Sequence, residues 1–250
     1  MMKYRIFIFI YSGNECFLPG LVRNVQWAFP DVPVHLIDDA SSPVENTIFP
    51  EGVFYEQSSF NRLGNLNGPE CIRGELDVFM SHLKMDETLV KIDPDTVFYS
   101  PGKMREYIEA GGFAFVSTYA EEQPFSGYFY LIHASVLAHV VSWIKGNAFM
   151  LQSAPEDTVI CSTALACARM LRLPTKTLFD YSRGGFTGAF DHSVPPEQIA
   201  AYIDGLRQYG MWFHTLGNPG ISKEQIMFAQ QEILFQISNN VTISTKTITQ

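Results

Sequence analysis

The chain predicts an α/β fold with a mostly parallel central sheet flanked by helices. Three observations carry this. Residues 4–11 (YRIFIFIY) form a continuous apolar run of the kind that makes a strand buried on both faces. A strand, a helix and a second strand follow one another within the first forty residues, which is a βαβ unit and requires a parallel pair. Further short apolar runs at 88–92 and 113–118 are separated by helical patterns.

The elements follow in order. After the first strand, Ser12, Gly13 and Asn14 turn the chain, residues 15–28 read as a helix, and Pro30 to Pro33 end it. Residues 33–37 (PVHLI) are a second strand, broken by Asp38, Asp39, Ala40, Ser41, Ser42 and Pro43. Residues 52–56 are a third strand, and the Gly/Asn-rich stretch 58–69 is a loop. A helix over 70–85 places Ile72, Leu76, Phe79 and Leu83 on one face. The strand at 88–92 ends at Asp93-Pro94-Asp95, a helix spans 102–110, and 113–118 is the next strand. In the second half a strand is expected at 128–132, helices at 134–145, 154–171, 197–209 and 222–238, and an extended segment at 211–214. The glycine-rich stretch 180–192 reads as a loop, and the polar tail from about 239 as exposed. No linker or internal repeat divides the chain, so one domain over 1–250 is expected.

Bulk properties narrow the function. With 46% hydrophobic and 17% charged residues a sizeable core is available and disorder is not expected. The net charge of -9 and the lack of a basic run argue against a nucleic-acid partner. Four cysteines without CxxC spacing read as reduced thiols, which points to a cytoplasmic setting; peripheral contact with a membrane stays open. The apolar run at Ile6–Tyr11 is too short for a transmembrane span or a secretory leader. Oligomeric state is not legible.

The residues that could carry chemistry gather at strand ends. Asp93 and Asp95, two apart after an apolar strand, point the same way in an extended segment, and Pro94 stiffens the backbone between them. Together they could hold Mg²⁺ or Mn²⁺, or simply form a solvated Asp-Pro turn. Asp38 and Asp39 end the second strand and could accept hydrogen bonds from a base or ribose; a turn explains them as well. Ser153 and Glu156 fit a capping box that leaves Asp157 over, a candidate general base whose pKa a helix start would keep low. His214 ends an apolar segment and could complete an octahedral metal site, with His192 a weaker candidate and His35, His82, His133 and His139 structural. Arg62, Asn65 and Asn67, and separately Arg183, could meet phosphate or a sugar from loops; Tyr128, Phe186 and Trp212 could stack on one. There is no GxxxxGK phosphate loop, no GxSxG elbow and no GxGxxG turn after the first strand.

Taken together, these motifs resemble those of glycosyltransferases of the GT-A fold over residues 4–215. The opening FIFIYSGNECFLPGLVRNVQWAFPDVPVHLIDDASSP is similar to the first βαβ unit of that Rossmann-like fold, and FNRLGNLNG to its donor-diphosphate loop. HLKMDETLVKIDPDTVF resembles the family's Asp-x-Asp motif, PEDTVI its later Glu-Asp element, WFHT its late histidine and FSGYFYLI its glycine-bearing acceptor segment. The resemblance implies transfer of a sugar from a nucleoside-diphosphate donor, by default a UDP-sugar, to a carbohydrate or glycan acceptor hydroxyl, with Mn²⁺ or Mg²⁺ as cofactor. It assigns the nucleoside to Asp38 or Asp39, the diphosphate to Arg62 and Asn67, the donor ribose or metal to Asp93, and the metal to Asp95 and His214. Asp157 becomes the base of an inverting reaction, and Gly127 lies near the sugars. The chain lacks the fuller Arg-Gly form of the diphosphate loop, and RGGFTG at 183–188 has no secure counterpart. A sugar-phosphate nucleotidyltransferase and an inactive carbohydrate-binding relative are the alternatives; a retaining outcome, the sugar and the acceptor stay open.

Overall fold

The structure is a computed structural model that describes residues 2–45, 51–60, 68–120, 123–147, 155–179, 187–189, 191, 193–208 and 213–215, and single residues between 222 and 235. The strands are β1 (Lys3–Ile10), β2 (Val34–Asp38), β3 (Val53–Gln57), β4 (Glu87–Ile92), β5 (Thr96–Phe98), β6 (Phe115–Ala120), β7 (Gln123–His133), β8 (Thr175–Phe179), β9 (Thr187–Ala189) and β10 (Phe213–Thr215). The helices are α1 (Leu18–Ala28), α2 (Pro69–His82), α3 (Pro101–Gly111), α4 (Ala134–Gly146), α5 (Glu156–Met170) and α6 (Ile199–Gln208).

Seven strands form one sheet in the order β3-β2-β1-β4-β7-β6-β8. The pairs β1–β2, β1–β4, β2–β3 and β6–β8 are parallel. β7 runs antiparallel to both neighbours, β4 and β6. The sheet is therefore mixed and mostly parallel, as the alternation of strands and helices predicts. A smaller sheet, β5-β10-β9, stands apart from the large one in strand pairing.

Alternation along the central strands sorts the core into two layers. Ile6, Ile8 and Ile10 of β1 pack with Leu36, Val90 and Ile92 against Leu21 and Val25 of α1 and Met104 and Ile108 of α3. Phe7 and Phe9 face the other way, with Ile37 and Leu89, against Ile72, Leu76 and Phe79 of α2, Val136 and Val140 of α4 and Ile160 and Ala164 of α5. A third cluster joins Phe17, Val97 and Tyr99 to Ile199, Ile203 and Leu206 of α6, which anchors β5. Proline opens α1, α2 and α3 within the first turn, where its missing N–H costs nothing. Gly112 ends α3 at φ 55, the left-handed conformation that glycine adopts without a Cβ clash.

Several expectations need correction. The strand expected at 128–132 starts at Gln123, and β8 and β5 form where no strand was foreseen. β9 lies inside the stretch read as a loop at 180–192. These are short segments stabilised by pairing partners distant in sequence, which local pattern does not reveal. The helix expected over 154–171 starts at Glu156 with Pro155 as its cap residue and no side-chain cap, while Ser153 lies outside the described residues.

Candidate active site

The carboxyl ends of β2 and β4 and the start of α5 supply the acidic residues singled out in the sequence. Asp38 is the last residue of β2 and is fully buried. Its Oδ2 accepts the Tyr55 hydroxyl at 2.6 Å, and the Val44 N–H donates to Oδ1 at 3.1 Å and Oδ2 at 3.2 Å. Burial pushes its pKa up, and the bonds from Tyr55 and Val44 oppose that. Asp39 Oδ1 accepts the Ser41 N–H at 2.9 Å and the Ser41 hydroxyl at 2.6 Å, while its own N–H donates to Ile10 O at 2.9 Å. The two acids thus shape the turn at 39–44 beside the end of β1.

β4 ends one pairing position short of the second acidic pair. The Thr96 N–H donates to Asp93 O at 3.1 Å, closing the Asp-Pro-Asp-Thr turn that leads into β5. Asn24 of α1 holds that strand from below: its amide donates to Phe98 O at 2.8 Å and accepts the Phe98 N–H at 2.7 Å. A buried asparagine used this way substitutes for a missing strand partner. β10 lies antiparallel to β5 with His214 opposite Val97, and parallel to β9 with His214 opposite Gly188. His214 is therefore brought by backbone register to the strand that follows Asp95; its side chain lies outside the described set. Gly127 is in β7, two residues from Phe129, which pairs with Ile92, so it shares the edge on which Asp93 sits.

Lys91 is the feature that sequence reading passed over. It occupies β4, a strand buried along its whole length, and is itself 2% exposed. It shares the face of Leu89 that packs under α2 and α5. Its ammonium makes an ion pair with Asp93 Oδ1 and lies 5.8 Å from the centroid of the Tyr130 ring. Glu75 of α2, fully buried, is on the same side of the sheet, and its charge acts on both Tyr130 and Cys161. The signals existed: a lysine inside an apolar strand, and a glutamate on the apolar face set by Ile72 and Phe79.

Asp157 stands where α5 begins, and its Oδ1 accepts the Thr158 N–H at 2.6 Å. The expectation of a low pKa at a helix start is overturned. Burial raises it most, and the charge of Glu156 adds to that; Lys91 and the Thr158 N–H lower it, and Asp93 raises it slightly. Tertiary burial outweighs the helix terminus here. Asp157 thus senses both Lys91 and Asp93, which ties the start of α5 to the end of β4. The Cys161 thiol is pushed well up, chiefly by burial, which removes it as a nucleophile. All four cysteines are free.

The donor set suits a hard divalent ion that completes its shell with phosphate oxygens, since Asp93 and Asp95 offer oxygen ligands at the end of the sheet. Among the described residues no group of three His, Cys, Asp or Glu side chains forms a cage on its own. Arg62, Asn65, Asn67, Arg183, Phe186, His192 and Trp212 lie outside the described residues, as does the side chain of Tyr128. Among the described residues, no helix is long and apolar enough to cross a membrane.

No protein-family model matches the sequence, and no curated protein matches it. Solved structures do. The crystal structure of the galactosyltransferase LgtC in complex with donor and acceptor sugar analogues superposes with a TM-score of 0.52 at 10% identity, over 94% of this chain and 95% of that one. An active-site mutant of LgtC gives a TM-score of 0.51 at 10% identity, over the same shares. At this identity the likeness is one of fold: a mixed, mostly parallel sheet flanked by helices, consistent with the GT-A, Rossmann-like class whose motifs the sequence resembles.

Proposed function

We propose that the protein is a metal-dependent glycosyltransferase that moves a sugar from a nucleoside-diphosphate donor, by default a UDP-sugar, to a carbohydrate hydroxyl with inversion. The observation that carries the reading is convergence. Asp39 at the end of β2, Asp93 and Asp95 after β4, and Asp157 at the start of α5 come from three distant segments to one edge of the sheet, the edge where open α/β folds bind ligands.

The residues divide the work as follows. Asp38 or Asp39 contacts the nucleoside from the end of β2, where Tyr55 and Val44 hold Asp38 and Ser41 holds Oδ1 of Asp39. Arg62 and Asn67 meet the diphosphate, and Gly127 leaves room for the sugars. Asp93, Asp95 and His214 would hold Mn²⁺ or Mg²⁺, whose charge stabilises the departing diphosphate. Asp157 takes the proton from the acceptor hydroxyl as its oxygen bonds to the anomeric carbon. The bond from that carbon to the phosphate oxygen breaks, and the electron pair leaves on the nucleoside diphosphate. Burial makes Asp157 a stronger base than an ordinary aspartate, which favours this role. The reading places one catalytic domain in the cytoplasm.

Calorimetric titration with UDP, GDP, CDP and ADP, each with and without Mn²⁺, tests it. The expected result is binding of one diphosphate that depends on the metal. A folded protein that binds none of the four overturns the proposal and directs attention to a carbohydrate-binding role.

A further inference from the structure

The least expected charge in the molecule is Lys91. Buried ammonium groups occur almost only when paired, because desolvation is not recovered otherwise. Lys91 is 2% exposed in a strand whose other five residues are also buried. Its ion-pair partner is more open: the Asp93 side chain is 29% exposed and lies two residues further on, in the turn that follows the strand. The pair therefore connects the buried layer beneath α5 to the open edge. On the buried side the ammonium sits over the Tyr130 ring, whose hydroxyl has no hydrogen-bond partner among the described residues.

We infer that Lys91 is a positioning residue for the donor site: it occupies Oδ1 of Asp93, so that Asp93 offers the ligand a single oxygen, Oδ2, in one fixed orientation. This rests on the transferase reading above and deepens it. A carboxylate left to rotate could approach a cation through either oxygen or both, whereas one pinned by a buried lysine is set before the ligand arrives, and less ordering is left to be done on binding. Toward the donor Lys91 acts through Asp93, while its charge also reaches Asp157 at the start of α5.

A double-mutant cycle read by calorimetry tests the inference, with UDP and Mn²⁺ as probe, or whichever of GDP, CDP and ADP binds the unaltered protein. Lys91→Met and Asp93→Asn should each weaken binding about tenfold, and the double variant should be no weaker than either single one. Lys91→Gln, which keeps a hydrogen-bond donor for Asp93, should recover part of the loss. Should Lys91→Met fail to fold, Asp93→Asn is compared with the double variant, which leaves neither charge of the pair without the other; equal affinities are expected. Lys91→Met binding as tightly as the unaltered protein overturns the inference. So do losses that multiply in the double variant, since Lys91 would then act on the ligand through its field. Failure of the unaltered protein to bind any diphosphate is a separate outcome, and it removes the transferase reading itself.

Discussion

β4 carries an ion pair at each end, and the two are built differently. At the amino end Arg5 of β1 grips Glu87 with two parallel bonds, Nε to Oε2 at 2.8 Å and Nη2 to Oε1 at 2.9 Å. The Lys84 N–H also donates to Glu87 Oε2 at 2.9 Å, and Arg5 Nη1 lies 3.0 Å from Nε2 of His35. His35 is held neutral, its pKa brought down to about 4 by burial first and then by the charges of His82 and Arg5. Every oxygen of that carboxylate is spent inside the protein. At the carboxyl end Lys91 binds one oxygen of Asp93 from below, and the carboxylate sits partly in the open. The closed pair fits a stabilising role; the half-open pair lies at the carboxyl end of the strand, the edge that open α/β sheets generally use for ligands.

The comparison can be broken most severely at the open end. Asp157→Asn should lower kcat by about a thousandfold while leaving the Kd for the donor diphosphate unchanged, as expected when a general base is lost. A fall in affinity equal to the fall in rate would place Asp157 in donor binding instead. Asp95→Asn should weaken Mn²⁺-dependent diphosphate binding by about a hundredfold, measured by calorimetry, with the unfolding midpoint nearly unchanged.

The closed end should respond in stability and not in binding. Arg5→Met leaves Glu87 buried without its partner and should cost about 3 kcal/mol in urea unfolding, with diphosphate affinity retained. The pH dependence follows from the same pair. Arg5 first, then the Lys84 N–H against the opposing effect of burial, hold the Glu87 pKa below its ordinary 4.5. The unfolded chain then binds the proton more readily, so this stabilisation is present above about pH 4.5 and is lost as pH falls through the lower folded-state value. Arg5→Met should flatten that acid limb of the stability curve. The smallest effect belongs to the exposed pair nearby, Lys3 with Asp86 at 2.6 Å; Lys3→Ala should leave both the unfolding midpoint and binding within experimental error.

What could be read in advance follows the same division. β1 and β2 announced themselves because strands buried on both faces read as apolar runs, and the acids that end β2 and β4 stand out against them. The antiparallel course of β7 left no mark, since a strand's direction depends on partners remote in sequence. β8 (TKTLF) has three half-buried residues out of its first three, too little contrast to signal a strand. Lys91 and Glu75 show in the sequence as charges inside an apolar strand and on an apolar helix face, but their shared neighbour Tyr130 comes from a segment remote in the chain. Asn24 resembles a neutral polar residue on α1 until its two bonds to Phe98 are seen. The pKa of Asp157 went the wrong way because the helix start is local and visible, while the burial that outweighs it comes from neighbours distant in the chain.

The position of β4 has a consequence for how the protein loses its function. β4 is the fourth of seven strands, hydrogen-bonded on one side to β1 and on the other to β7, whereas β3 and β8 close the two borders of the sheet. Backbone amides in such a centre exchange with solvent only when the whole molecule opens, while border strands open by themselves. Asp93 and Asp95 hang directly from the slowest-exchanging part of the chain. Heat inactivation should then track global unfolding, and loosening at the borders should leave the acidic edge in place.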